Sequence, residues 1–373
     1  MQLVKSPRFV QACVDIPEIL RAEVWAALMG INSTYRSVYE TYNKTSKHSA
    51  DRQIDVDIPR CHQYDRLLSS PDGHAKLRRL LKAFLSANPT LVYWQGMDSI
   101  FASWLRLNFN DEALAFSCAN TFVEKYLHDY FLPDNSSVMQ ETLAVYTHLL
   151  TFHDPELSSH VLEIGFVPDL YAIPWFLTLY THVCSFDKIY QIWDSLLVSS
   201  SSFPLCFAVA ILQQFRSAIL SYDFNDCILH FSDMPALDVE WCLATSRQIW
   251  AQTPPSVTSR KHDAWEACEE NAKKQLQKDI DSHVADTTVE GNVVKGLLLD
   301  SDLEWWAKTP PLAELRSNRV AQIRFDDVML MDQYLMVDIR SDASFHAIGH
   351  WRASLHFDAE SLANMSDVLL PFK

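Results

Sequence analysis

Arg60, closing the segment Ile54-Asp55-Val56-Asp57-Ile58-Pro59-Arg60, and Gln95, within Tyr93-Trp94-Gln95-Gly96-Met97, are the residues of this chain best suited to chemistry. Arginine neutralises charge on a phosphoryl group in transfer, and glutamine orients an attacking water. Together they are the side chains that complete a slow GTPase site. Ile54 and Ile58 are apolar anchors with Asp57 between them. Pro59 fixes its own backbone and disfavours an α conformation at Ile58, so the pattern predicts a pinned turn with Arg60 at its tip. Asp57 is near enough to grip the guanidinium by a bidentate pair, which would pre-organise it. In the second segment Tyr93 and Met97 flank the turn, and Gly96 permits a tight backbone and the close approach of another surface. The Gln95 amide can accept from a water and donate to a carbonyl at once.

Each segment also has a plainer reading. The first is compatible with a helix boundary carrying a surface Asp–Arg pair of little energetic consequence. The second is compatible with a helix N-terminus at which Tyr93 and Trp94 pack and Gln95 is solvated. One absence connects the two. The chain has no G-x-x-x-x-G-K-[ST] loop, no G-x-G-x-x-G loop and no kinase-type metal-binding triplet. It carries groups that stabilise phosphoryl transfer without a visible cradle for a nucleotide. The consistent solution is that another protein holds the nucleotide and this one inserts its residues in trans.

The elements that must position these residues read as helices. Apolar spacings of three and four predict helices at 17–29, 74–88, 97–107, 111–131, 137–153, 155–164, 168–183, 186–199, 203–221 and 236–250. Leu77, Leu80, Leu81, Phe84 and Leu85 form one such stripe. Breaks fall at Pro89, Pro133-Asp134-Asn135, Asp154-Pro155 and the serine run ending at Ser202. Only 7 glycines occur in 373 residues, and 48% of the chain is hydrophobic, which favours an all-α body with a sizeable core. Beyond about residue 250 the composition shifts. A charged stretch at 264–280 reads as a solvated connecting helix, and 334–340 reads as a buried strand.

Net charge bounds the partners. At −16 the chain lacks the basic surface that nucleic-acid binding requires. The eight cysteines (13, 61, 118, 184, 206, 227, 242 and 268) are scattered without C-x-x-C pairs, which favours reduced thiols over a disulfide framework. The most apolar run, Phe203 to Leu212, is too short to span a bilayer. A cytoplasmic protein is expected, reaching endosomal or other vesicle membranes through partners.

The order of motifs resembles the TBC-domain family, GTPase-activating proteins for Rab-type GTPases, over about residues 18–250. Arg21-x-x-x-Trp25 resembles its opening motif, Ile54-x-x-Asp57-x-x-Arg60 its arginine-finger motif, and Tyr93-x-Gln95-Gly96-Met97 its glutamine-finger motif. Pro168-x-x-Tyr171-x-x-x-Trp175-Phe176 and Ile192-Trp193-Asp194 resemble later helical signatures. The resemblance implies a two-lobed all-helical domain acting on a Rab-type GTPase in its GTP form. Mg²⁺ and GTP would be held by the partner, and the chain would have no cofactor or metal of its own. It implies catalytic roles for Arg60 and Gln95, with Asp57, Tyr93 and Gly96 in support, and a place in vesicle traffic. The chain departs from the usual pattern at Cys61, where Thr is common, at Trp94, where Cys is common, and at Asp98, where Asn is usual.

Val337-Asp338-Ile339-Arg340 with Phe345 and Gly349-His350 resembles the opening of a rhodanese-like domain. The expected organisation is therefore a helical domain at 1–250, a linker at 251–325 and an incomplete α/β rhodanese-like segment at 326–373. No cysteine follows Cys268, so sulfur transfer is not expected. A second reading of the whole is a catalytically silent scaffold that binds GTPases and assembles a larger complex. Three further candidates have plainer explanations. His346 and His350 have helical metal-ligand spacing but no third ligand, Cys61 reads as a small semi-buried residue rather than an activated thiol, and Trp175-Phe176 reads as core.

Overall fold

A computed structural model describes residues 16–200 and 202–254, together with the residue pairs 337–338 and 355–356. The chain divides into two compact units, Met1–Gln322 and Ile323–Lys373.

In the first unit the described residues are helical. Four helices lead to the second candidate loop: α1 (Glu18–Leu28), α2 (Tyr35–Thr41), α3 (Asp51–Asp57) and α4 (Pro71–Ala87). Helices α5 (Met97–Leu107), α6 (Glu112–Tyr126), α7 (Ser136–His153) and α8 (Pro155–Glu163) follow. The remainder are α9 (Ile173–Thr178), α10 (Phe186–Val198), α11 (Phe203–Gln214), α12 (Arg216–Ile219), α13 (Phe224–Ser232) and α14 (Val239–Gln252). Their starts follow local chemistry. The Ser70 hydroxyl accepts the Gly73 N–H at 3.0 Å ahead of Pro71, and Asp111 accepts the Leu114 N–H at 3.1 Å. Asp223 and Asp226 form a capping box at the start of α13.

The packing follows the stripes. Leu77, Leu80, Leu81, Phe84 and Leu85 are all buried, and α4 lies against α5 and α6. Helix α11 is apolar on nearly every side and packs against α14 and α7. An aromatic cluster ties distant parts together: Trp25 of α1, Trp104 of α5, Phe122 of α6 and Trp193 of α10 meet at centroid separations of 4.4 to 6.0 Å. Beside it, Asp194, 2% exposed, accepts from the Arg21 guanidinium and from the Trp25 indole N–H at 2.6 Å.

Several expected boundaries move for identifiable reasons. The helix expected at 111–131 ends at Tyr126, because Leu127 turns extended in φ and a 3₁₀ turn, His128–Phe131, follows. The helix expected at 168–183 is broken into a 3₁₀ turn at Pro168–Leu170 and α9. Leu179 (φ 45°) and Tyr180 (φ 70°) then adopt the left-handed region, which no right-handed helix can cross. The stretch expected at 203–221 divides at Phe215. Helices α2, α3 and α13 were not expected; α2 and α3 are only 7 residues long, too short for a clear periodic stripe.

In the second unit the described residues form one parallel pair, Val337–Asp338 with Leu355–His356, in the register Val337 to Leu355. The first of these lies inside the strand expected at 334–340. Two dipeptides do not establish a rhodanese-like fold. The connecting helix expected at 264–280, and His346 and His350, lie outside the described residues.

Candidate functional site

The arginine segment is a helix end that tightens into a turn with Arg60 last. Helix α3 runs directly into a 3₁₀ turn at Ile58–Arg60, and Ile58 is helical at φ −50° and ψ −48° despite the proline that follows. The expected bias against helix at Ile58 is overridden by burial. Ile54 and Ile58 are 0% and 4% exposed and lock this edge of the helix into the core. Arg60 is thereby turned outward, with its side chain 61% exposed.

Beneath it Asp57 is almost wholly buried and fully engaged. One oxygen accepts from Nη2 of Arg60 and from Nε2 of Gln53 at 3.0 Å. The other accepts from the Tyr93 hydroxyl at 2.9 Å and from the same Gln53 amide at 3.1 Å. The expected bidentate grip is therefore replaced by a single contact, because Tyr93 occupies the second oxygen. A buried carboxyl needs these partners, since removing it from water is costly unless its lone pairs are satisfied. A one-point tether leaves the rest of the guanidinium fork free for another anion.

The glutamine segment is a tight loop that opens α5. The Trp94 indole donates to the Leu132 carbonyl at 2.9 Å, and the Val92 N–H donates to the Phe131 carbonyl at 2.8 Å, anchoring the loop on the 3₁₀ turn beside it. Gly96 is at φ 100°, and a Cβ there would lie 2.7 Å from Cγ2 of Thr178. Glycine is thus required on two counts, the left-handed backbone and the close approach of α9. Tyr93 and Trp94 are half-buried, Met97 is buried, and Gln95 is exposed.

Arg60 and Gln95 border one open groove of about 500 Å³. Asp57, Cys61 and Gly96 also line it, while Tyr93 supports it from behind through Asp57. The opposite wall comes from α9 and beyond, with Pro174, Leu177, Thr178 and His182. Trp175 and Phe176 on the same helix are buried in the core, as their spacing suggested.

The electrostatics narrow the chemistry. Burial pushes the Cys61 thiol well above its ordinary range, with Asp98 adding to the effect, so Cys61 is no activated nucleophile. Burial also lowers His62 to about 4. Its ring pairs with the Ser99 hydroxyl at 2.6 Å and with the Tyr64 hydroxyl at 2.9 Å, and it lies 4.4 Å from the Phe186 ring. Among the described residues no group of three His, Cys, Asp or Glu is arranged to hold a metal ion, and six cysteines are buried and unbridged. What the groove presents is one tethered cation and one exposed amide.

Gln53 and the α9 wall escaped sequence reasoning. Gln53 stands four residues before Asp57, a spacing visible once the segment is read as helix. The α9 wall left no comparable signal, because its approach depends on how distant helices pack.

Comparison with known proteins gives the family and the fold. The family model described as the Rab-GTPase-TBC domain matches residues 18–220. The TBC domain-containing protein kinase-like protein of Homo sapiens is 54% identical over 258 residues, which cover 69% of this chain and 29% of that protein. The protein of the same name from Dictyostelium discoideum is 33% identical over 343 residues, covering 91% of this chain and 30% of that protein. The chain thus spans less than a third of the length of these relatives. The crystal structure of the Ypt/Rab-GAP domain of Gyp1p superposes with a TM-score of 0.56 at 19% identity, covering 64% of this chain and 89% of that domain, a likeness of fold.

Proposed function

We propose, from the premise that this chain belongs to the Rab-GTPase-TBC domain family, that it accelerates GTP hydrolysis on a Rab-type small GTPase by supplying Arg60 and Gln95 in trans. The observation that carries this reading is that both side chains are exposed at one groove, with Arg60 tethered at a single point. Arg60 lays its free guanidinium nitrogens on the γ-phosphoryl oxygens and neutralises charge as the bond to the leaving oxygen lengthens. Gln95 accepts a hydrogen bond from the attacking water and directs it in line. The partner GTPase holds Mg²⁺ and GTP, so the chain needs no phosphate loop of its own. Asp57 limits the rotamers of Arg60, and Tyr93 and Gly96 fix the loop bearing Gln95.

An arginine finger is worth about 10³–10⁵ in rate, or roughly 4–7 kcal/mol. The decisive measurement is GTP turnover across a panel of Rab-type GTPases. Stimulation by the wild-type chain that Arg60→Ala and Gln95→Ala each remove supports the reading; no stimulation of any panel member sinks it.

The second reading is a scaffold that binds the GTP form without turnover and nucleates a larger complex. Cys61, Trp94 and Asp98, which replace the usual residues beside both fingers, motivate it. Binding that Arg60→Ala leaves unchanged, with no turnover, would favour it. On either reading the setting is vesicle traffic, with recruitment to endosomal or other vesicle membranes through partners. No described helix is long and apolar enough to cross a membrane. The rhodanese-like reading of 326–373 and the linker at 251–325 rest on the sequence pattern alone. With them goes the expectation of a two-lobed helical domain over 1–250.

A further inference from the structure

The roles above leave a buried acid of the groove unused. Asp98 stands in the first turn of α5 and is 7% exposed. Its Oδ1 accepts the Gly96 N–H at 3.1 Å and lies 3.4 Å from the Tyr93 hydroxyl. Cys61, the residue directly after Arg60, lines the same groove as Asp98. The Tyr93 hydroxyl also donates to Asp57, which tethers Arg60. Asp98 therefore reaches the arginine turn through Tyr93 and Asp57, and the glutamine loop by the backbone beside Gln95. Burial and the nearby Asp57 both push its carboxyl upward, while Cys61 and the Gly96 N–H oppose that shift. A carboxyl placed there against its solvation preference has a cost that its contacts must offset.

Building on the reading that Arg60 and Gln95 act together, we propose that Asp98 is a positioning residue that holds the arginine turn and the glutamine loop in one register. It touches neither finger side chain. Its oxygen fixes the amide that follows Gln95, and its contact with the Tyr93 hydroxyl steadies the bond to Asp57, which tethers Arg60. A displacement of either segment is thereby felt by the other. The effect on turnover is one of geometry, since a shift of about 1 Å in a reacting group can cost on the order of 10²-fold in rate.

Amide hydrogen exchange tests this without a GTPase. Asp98→Ala removes the shared acceptor and is expected to speed exchange about tenfold in both the 58–62 and 93–97 segments, with the remaining helices protected as before. Asp98→Asn keeps an oxygen for the Gly96 N–H and is expected to restore protection at 93–97. Unchanged exchange in either segment overturns the proposal, and so does a uniform rise across all helices, which marks general destabilisation. Should Asp98→Ala fail to fold, Asp98→Leu keeps the volume and removes the shared acceptor. Faster exchange at 58–62 is then required, and unchanged protection there overturns the proposal. In turnover on a responsive GTPase, Asp98→Ala should lower kcat about 10- to 100-fold with KM unmoved, and Asp98→Asn should rescue it. A wild-type kcat for Asp98→Ala also overturns the proposal. If no GTPase responds to the wild-type chain, the GTPase-activating reading fails, while the exchange experiment still decides the role of Asp98.

Discussion

The Tyr93 hydroxyl donates to Asp57 at 2.9 Å across 36 residues of sequence and so joins the two segments that carry Arg60 and Gln95. The same bond takes the oxygen that a bidentate Arg60–Asp57 pair would need. The arginine is consequently steered without being immobilised, as suits a side chain that must reach a partner's phosphate.

Arg60→Ala is expected to lower stimulated GTP hydrolysis by ~10³-fold or more. Arg60→Lys should recover little, since an ammonium cannot both keep the Asp57 contact and span two phosphoryl oxygens. Single-turnover hydrolysis with saturating chain reads this directly. A residual rate near wild type for Arg60→Ala would remove Arg60 from the mechanism. The helical circular dichroism should be unchanged, because the side chain is 61% exposed.

Gln95→Ala is expected to cost about 10²-fold in the same assay, with affinity for the GTPase retained. Gly96→Ala should act differently, by destabilising the fold about 1–3 kcal/mol. Its Cβ would meet Cγ2 of Thr178 at 2.7 Å on a backbone at φ 100°. Urea unfolding separates the two variants: Gln95→Ala should keep the wild-type midpoint and Gly96→Ala should lower it.

Asp194→Ala should be among the most damaging substitutions far from the groove. It strips the acceptor from the Arg21 guanidinium and the Trp25 indole, both buried at the junction of α1 and α10. Breaking such a pair from one side costs about 3–5 kcal/mol. Urea denaturation monitored by the tryptophans of the cluster would measure it.

Stability should fall as pH drops from about 6.5 toward 4. His62 and His153 are each lowered to about 4 by burial, against an ordinary value of 6.5. Between those values the unfolded chain binds protons that the folded one refuses, so stability rises with pH there and is flat, as far as these groups go, above about 7.5. His62→Asn should flatten part of that slope, and asparagine tolerates the φ of 45° at this position. Unfolding free energies compared between variant and wild type at pH 5 and pH 7 check the difference.

Much of the candidate groove's lining was readable from the sequence. Asp57, Arg60, Gln95 and Gly96 stand at the groove, and the long stripes of α4 and α5 fall where their periodicity placed them. Short elements were not readable, because 7 residues of helix such as α3 give fewer than two turns of pattern. The Ile58–Pro59 pair misled for a related reason. A local steric preference is small, and two buried isoleucines at Ile54 and Ile58 outweighed it.

By itself the sequence determined the side-chain types at each segment, the helical character of the body and the lack of a recognisable phosphate-loop motif. These follow from local spacing and from motifs contiguous in the chain. Only the tertiary structure decided that Arg60 keeps one contact rather than two, and that α9 closes the far side of the groove against Gly96. It also decided that the Asp98 carboxyl meets both the Gly96 N–H and the Tyr93 hydroxyl. Those outcomes depend on which groups from distant parts of the chain meet in a buried place. There each oxygen accepts from whichever donor the packing brings within reach, and no local pattern records that competition.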